Sequence, residues 1–84
     1  MEINGYKLQL TCGACPEQYD VYKDEKQVGY LRLRHGEFRA DSPDCGDETV
    51  YYTEDTEGDG AFEDHERMRF LTEAIQAIDK HLTK

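Results

Sequence analysis

An α+β fold is predicted for this chain: a small antiparallel β-meander of four or five strands, with one C-terminal α-helix packed on one face. Three observations predict it. Short stretches between residue 3 and Thr53 alternate apolar and polar side chains. Clusters of Gly, Pro, Asp and Ser separate them at hairpin lengths. A single apolar stripe at helical period then occupies the C-terminal third.

Residues 3–11 read as the first strand, with Tyr6, Leu8 and Leu10 on one side and Lys7, Gln9 and Thr11 on the other. Cys12 to Pro16 is a turn, because Pro16 has no N–H for a ladder. Tyr19 and Val21 begin a second strand, and Asp24 to Gln27 is a polar turn. Val28 to His35 is the clearest strand, with Leu31 and Leu33 inward and Tyr30, Arg32 and Arg34 outward. His35-Gly36 leads into a fourth, with Phe38 and Ala40 inward and Arg39 outward. Turn chemistry is dense from Ser42 to Asp47. Thr49 to Thr53 forms the last strand, with Val50 and Tyr52 inward and Tyr51 outward. Met68, Leu71, Ile75, Ile78 and Leu82 give the helix its stripe, flanked by Phe70 and Ala74. Asp64 and Glu66 stand near its start and Lys80, His81 and Lys84 near its end, each sign where the helix dipole favours it.

The 84 residues suit one domain, 1–84, with a thin core: 37% are hydrophobic and 35% charged. Six Tyr and three Phe argue against disorder. The net charge of −9 is placed unevenly. Asp41 to Glu66 holds eleven carboxylates and no Lys or Arg, whereas the rest of the chain, with ten bases and eight acids, is about +2. A patch of one sign repels nucleic acid and attracts cations or a basic protein surface. No apolar run is long enough to span a membrane, and residues 1–10 lack a signal-peptide pattern. An odd cysteine count without a signal points to a reducing compartment, read here as the cytoplasm.

Two groups of residues have metal-ligand spacing. Counted from Asp55 as position 1, oxygen ligands at positions 1, 3, 5, 7, 9 and 12 fall on Asp55, Glu57, Asp59, the Ala61 carbonyl, Glu63 and Glu66. Gly60 takes the sharp turn at position 6 and Phe62 the apolar anchor at position 8. The segment resembles the loop and exit helix of an EF-hand, although Glu57 stands where Asp or Asn is usual and a strand leads in. The resemblance implies Ca²⁺; a solvated acidic loop accounts for the same residues. Cys12 and Cys15 form a C-x-x-C turn, and Cys45 with His35 or His65 would complete a zinc set. Cysteines acting as small buried hydrophobes are the simpler account. The expectation is no cofactor, with Ca²⁺ and then Zn²⁺ as alternatives.

The outward row Tyr30, Arg32 and Arg34, joined by Arg39, Tyr22 and Tyr51, is rich in residue types that dominate binding sites. Pairing of Arg32 or Arg34 with Asp20 or Glu37 is the competing account. His35, His65 and His81 have no nucleophile in a recognisable arrangement, and carboxylates line the G-D-G at 58–60, which would repel phosphate. The expected function is therefore that of a small non-enzymatic interaction or inhibitor module. Asp55, Glu57, Asp59, Glu63, Asp64 and Glu66, with Tyr30, Arg32 and Arg34, would dock on a basic surface of a partner protein. Such a protein could imitate DNA, as phage and mobile-element inhibitors of nucleic-acid-binding host proteins do as a class. The alternatives are a calcium module at 55–66, a zinc-stabilised domain, and a homodimer through the sheet face.

Overall fold

In the computed structural model, which describes residues 1–14 and 16–83, six strands precede one helix. The strands are β1 (Glu2–Ile3), β2 (Tyr6–Gly13), β3 (Glu17–Lys23), β4 (Lys26–Arg34), β5 (Glu37–Ser42) and β6 (Glu48–Thr53); the helix is α1 (Asp64–Leu82). They form one antiparallel sheet in sequence order, β1-β2-β3-β4-β5-β6. The α+β meander with a C-terminal helix is as expected, but the strand count is six rather than four or five.

The additional strand comes from Asn4-Gly5, whose φ values of 53° and 86° reverse the chain and set Ile3 opposite Tyr6. Two consecutive left-handed residues make the tight hairpin turn whose twist matches that of its strands. Asp24-Glu25 (φ 52° and 67°) and His35-Gly36 (φ 53° and 74°) close the β3-β4 and β4-β5 hairpins in the same way.

The sheet's inner face contributes Tyr6, Leu8, Tyr19, Val21, Leu31, Leu33, Phe38 and Ala40 to the core. Two inward assignments are corrected. Leu10 lies opposite Tyr19 but is 53% exposed, within β2 immediately before a bulge. On β6, Ala40 faces Tyr51 while Asp41 faces Thr49, so Val50 is the extra residue of a bulge. Val50 and Tyr51 consequently both pack against the core, and Tyr52 is turned out and 51% exposed.

The helix also presents a rotated stripe. Phe70, Leu71, Ala74, Ile75 and Ile78 are buried, whereas Met68 and Leu82 are 51% and 42% exposed. The cause is polar. Glu66 and Arg67 lie on the buried side of the first turn and are held there by the partners described below, which turns Met68 outward. Helix α1 packs over β4, β5 and β6. Tyr6 on β2 and Tyr51 on β6 donate their hydroxyls to Asp79 and Glu73, tying the helix to the sheet at two points. Gly29 on β4 makes room for the helix: a Cβ there would sit 2.5 Å from Ile78 Cδ1. Phe62, from the connection before the helix, sits edge-on to Phe38 at 4.9 Å and stacks with Phe70 at 5.9 Å.

Candidate functional site

Two buried carboxylates fasten the acidic connection between β6 and α1. Glu66, one turn into the helix, accepts three backbone N–H groups: Glu57 at 2.8 Å, Gly58 at 2.9 Å and Glu63 at 2.9 Å. The bond from Glu63 is the returning half of a capping box, and the other two draw the loop onto the helix N-terminus. Burial opposes ionisation of Glu66, yet the three N–H donors outweigh it and hold the carboxyl below its usual range. Gly58 is needed because the Ala61 carbonyl folds against it; a Cβ would lie 1.8 Å from that oxygen.

Glu17, at the start of β3, is the second fastening. Its Oε1 accepts the Phe62 N–H at 2.9 Å, its Oε2 accepts Arg67 Nε at 3.0 Å, and the Tyr19 hydroxyl donates to it. The Arg67 Nη atoms reach Asp64 at 2.7 Å and the Phe62 carbonyl at 3.0 Å. These carboxylates raise the pKa of Arg67 further, Glu17 most. Backbone bonds complete the attachment: Glu17 N–H to Gly60 O at 2.8 Å and Gly36 N–H to Asp59 O at 2.7 Å. The loop is thus a ledge whose backbone is tied to β3, to the β4-β5 turn and to α1.

The ledge sorts the acidic residues. Asp55, Glu57, Asp59, Glu63 and Asp64 are exposed, and Glu66 is not. Glu57 meets His65 Nε2 at 2.8 Å, and that contact raises the imidazole pKa. Glu66 therefore offers neither a docking charge nor a free ligand, because backbone N–H groups take both its oxygens. Gly60 is not left-handed: the positive-φ glycines among the described residues are Gly5, Gly36 and Gly46. No group of three His, Cys, Asp or Glu side chains placed to hold a metal occurs among the described residues. Cys12 is half-buried near the end of β2, Cys45 is exposed in the β5-β6 loop, and Cys15 lies outside the described residues.

The eleven carboxylates of residues 41–66 do not form one patch. Asp41 is buried, accepting Thr49 Oγ1 at 2.8 Å and the Gly46 N–H at 3.0 Å. Asp44, Asp47 and Glu48 lie at the start of β6, where Glu48 meets His81 at 3.3 Å. The ledge follows the other end of the strand.

On the sheet face away from the helix, cross-strand neighbours form rows: Gln18, Arg32, Arg39 and Tyr52 in one, Asp20, Tyr30 and Asp41 in the next, and Arg34 with Glu37. Tyr30 points to this side but is only 8% exposed, and its hydroxyl donates to Gln18 Oε1 at 2.7 Å. Its hydroxyl ties β4 to β3, and little of its surface is open on this face. Tyr52 takes the exposed role expected of Tyr51. Arg32 and Arg34 have no carboxylate within 4.0 Å among the described residues, so pairing with Asp20 or Glu37 does not neutralise them. Arg39 Nε lies 3.3 Å from Asp41 Oδ2 without hydrogen-bond alignment. A cleft of about 220 Å³ is lined by Arg32, Arg34, His35, Glu37, Arg39 and Tyr52.

Sequence reasoning missed Glu17 and Arg67. Both carried a signal: Glu17 shares the inward parity of Tyr19 and Val21, and Arg67 is a base in a first helical turn, where the dipole disfavours it. The chain matches no family model, no curated protein and no solved structure.

Proposed function

We propose that this chain is a small non-enzymatic binding module whose 54–64 ledge docks on a basic surface of a partner protein, of the kind that receives nucleic-acid phosphates, and so blocks it. One observation carries this reading: the ledge is acidic and fixed at once. Glu17 and Glu66 turn inward and pin the backbone, which leaves Glu54, Asp55, Glu57, Asp59, Glu63 and Asp64 exposed on a loop that need not be ordered on binding. Preorganised charge loses less entropy on association than a flexible acidic tail and steers a basic partner at long range.

The test must spare the carboxylates that hold the fold. Glu54, Asp55 and Asp59 make no side-chain hydrogen bond to backbone and no ion pair among the described residues. Affinity capture from the native host, with mass-spectrometric identification, is run with the native chain and with Glu54→Gln/Asp55→Asn/Asp59→Asn. The expected outcome is a retained basic protein that the variant loses and that added salt releases. A partner held equally by both chains in matched salt defeats the reading.

A further inference from the structure

We infer that the cleft of Arg32, Arg34 and Arg39 on the open sheet face is an oxyanion site, and that it takes a single phosphate monoester with a planar group resting on Tyr52. The inference uses none of the ledge carboxylates as contacts and stands apart from the reading of the ledge.

The first ground is an unmet electrostatic demand. Arg32 and Arg39 are directly opposite each other in the β4-β5 ladder. Like charges at that position destabilise a sheet unless something lies between them. Arg39 finds only the poorly aligned Asp41 beneath it, and its Nε is buried without a hydrogen bond. Arg32 and Arg34 have no ion-pair partner among the described residues. In a chain of net charge −9, with carboxylates in surplus, three guanidiniums still line one concavity against a single carboxylate, Glu37.

The second ground is the number of donors. A guanidinium presents five N–H groups in a planar fork that matches the oxygens of a carboxylate or phosphate. One such fork satisfies a carboxylate. Three lining a common cleft suit an anion with three terminal oxygens, which a phosphate monoester supplies. The third ground is the rim. Tyr52 is 51% exposed at the end of the Arg32-Arg39 row and lines the same cleft, so an aromatic side chain stands beside the donors.

The surroundings restrict what can enter. Glu37 lines the cleft, Glu37 and Glu54 neighbour the Tyr52 hydroxyl, and Asp59 lines a second cleft with Arg34 and His35. A polymer would bring its next phosphate against one of these carboxylates. A discrete monoester, with one dianionic end, avoids them.

The test is a set of titrations of the ¹⁵N-labelled chain at constant ionic strength, followed at the arginine Nε–Hε and backbone signals. The probes are inorganic phosphate, phenyl phosphate and benzoate. Saturable shifts at Arg32 and Arg39 are expected with inorganic phosphate, tighter binding with phenyl phosphate, and weaker binding with benzoate. Tyr52→Ala should remove the advantage of phenyl phosphate and leave inorganic phosphate bound. Arg32→Gln, at a side chain that ties down nothing else, should weaken both phosphates on the order of tenfold. Arg39→Gln should do the same if it folds; Arg32→Gln carries the test alone if it does not. Shifts that stay linear to tens of millimolar phosphate, benzoate binding as well as phenyl phosphate, or an Arg32→Gln chain that binds phosphate normally would each overturn the assignment.

Discussion

A carboxylate that accepts three backbone N–H bonds is stabilised in its ionised form, and Glu66 is such a group although burial works against it. Its pKa in the folded chain is therefore below the ordinary 4.5, and the folded state binds fewer protons than the unfolded one through that range. The stability it contributes is fully present above about pH 4.5 and is lost as pH falls through the lower folded value. Glu73 adds to the same limb, because the Tyr51 hydroxyl bond lowers its pKa in spite of burial, with help from Arg69. Removing the Glu66 side chain leaves the Gly58 N–H buried without an acceptor and frees two partly buried ones. Glu66→Ala should cost about 2–4 kcal/mol in urea unfolding at pH 7. Glu66→Gln should flatten the fall in stability as pH drops below about 4.5. An unchanged acid limb in Glu66→Gln would show that other carboxylates carry it. Position 12 of a calcium loop falls on the same residue, and spacing alone does not separate the two roles. A glutamate three residues past an N-cap serves a capping box and a metal loop alike, and only the direction of its oxygens decides between them.

At the scale of elements, the hairpins show where local chemistry and conformation disagree. Asp24 and Glu25 both occupy the left-handed region, in a turn that prefers Gly at its second position. A non-glycine residue there carries a steric cost of roughly 1–2 kcal/mol, partly offset by the greater unfolded-state freedom of Gly. Glu25→Gly should therefore stabilise the chain by about 0.5–1 kcal/mol, read as a higher urea midpoint with an unchanged slope. A lower midpoint would mean that the Glu25 side chain supports the turn in some other way. The inner and outer faces of β4 were legible in the alternation of Leu31 and Leu33 with Arg32 and Arg34, which a single ladder register preserves. Asn4-Gly5 was legible too, as a strong hairpin dipeptide, but the strand before it is only Glu2–Ile3, too short for alternation to mark it as separate. The β6 assignment failed for a different reason. A bulge shifts parity by one residue, so Tyr51 and Tyr52 exchange faces while the local pattern is unaltered. The helix stripe failed because hydrophobic spacing ignores Arg67, whose bond to buried Glu17 sets the rotation of the first turn. The arginine row was readable from residue types on one strand; the cleft needed the neighbouring strand and Tyr52.

For the molecule as a whole, carboxylates are crowded on one tied-down ledge while arginines line the adjoining sheet face. The chain carries −9, yet Arg32, Arg34 and Arg39 line one cleft on the sheet face while Glu54, Asp55, Glu57, Asp59, Glu63 and Asp64 share one tied-down ledge. A flexible acidic loop could spread to relieve its own repulsion. This one cannot, because Glu17, Glu66 and the backbone bonds at Asp59 and Gly60 fix it. The repulsion is then a property of the folded state that unfolding releases. Glu54→Gln/Asp55→Asn/Asp59→Asn should be more stable than the native chain at low ionic strength, by about 0.5–1 kcal/mol at a few tenths per relieved pair. The difference should vanish near 1 M salt, where screening acts within about 3 Å. Urea unfolding of both chains across that salt range decides the matter. A variant less stable at every salt concentration would assign these carboxylates to holding the fold. A variant that is more stable, but no longer retains the captured partner, would identify them as charge kept on the ledge for binding at the expense of stability.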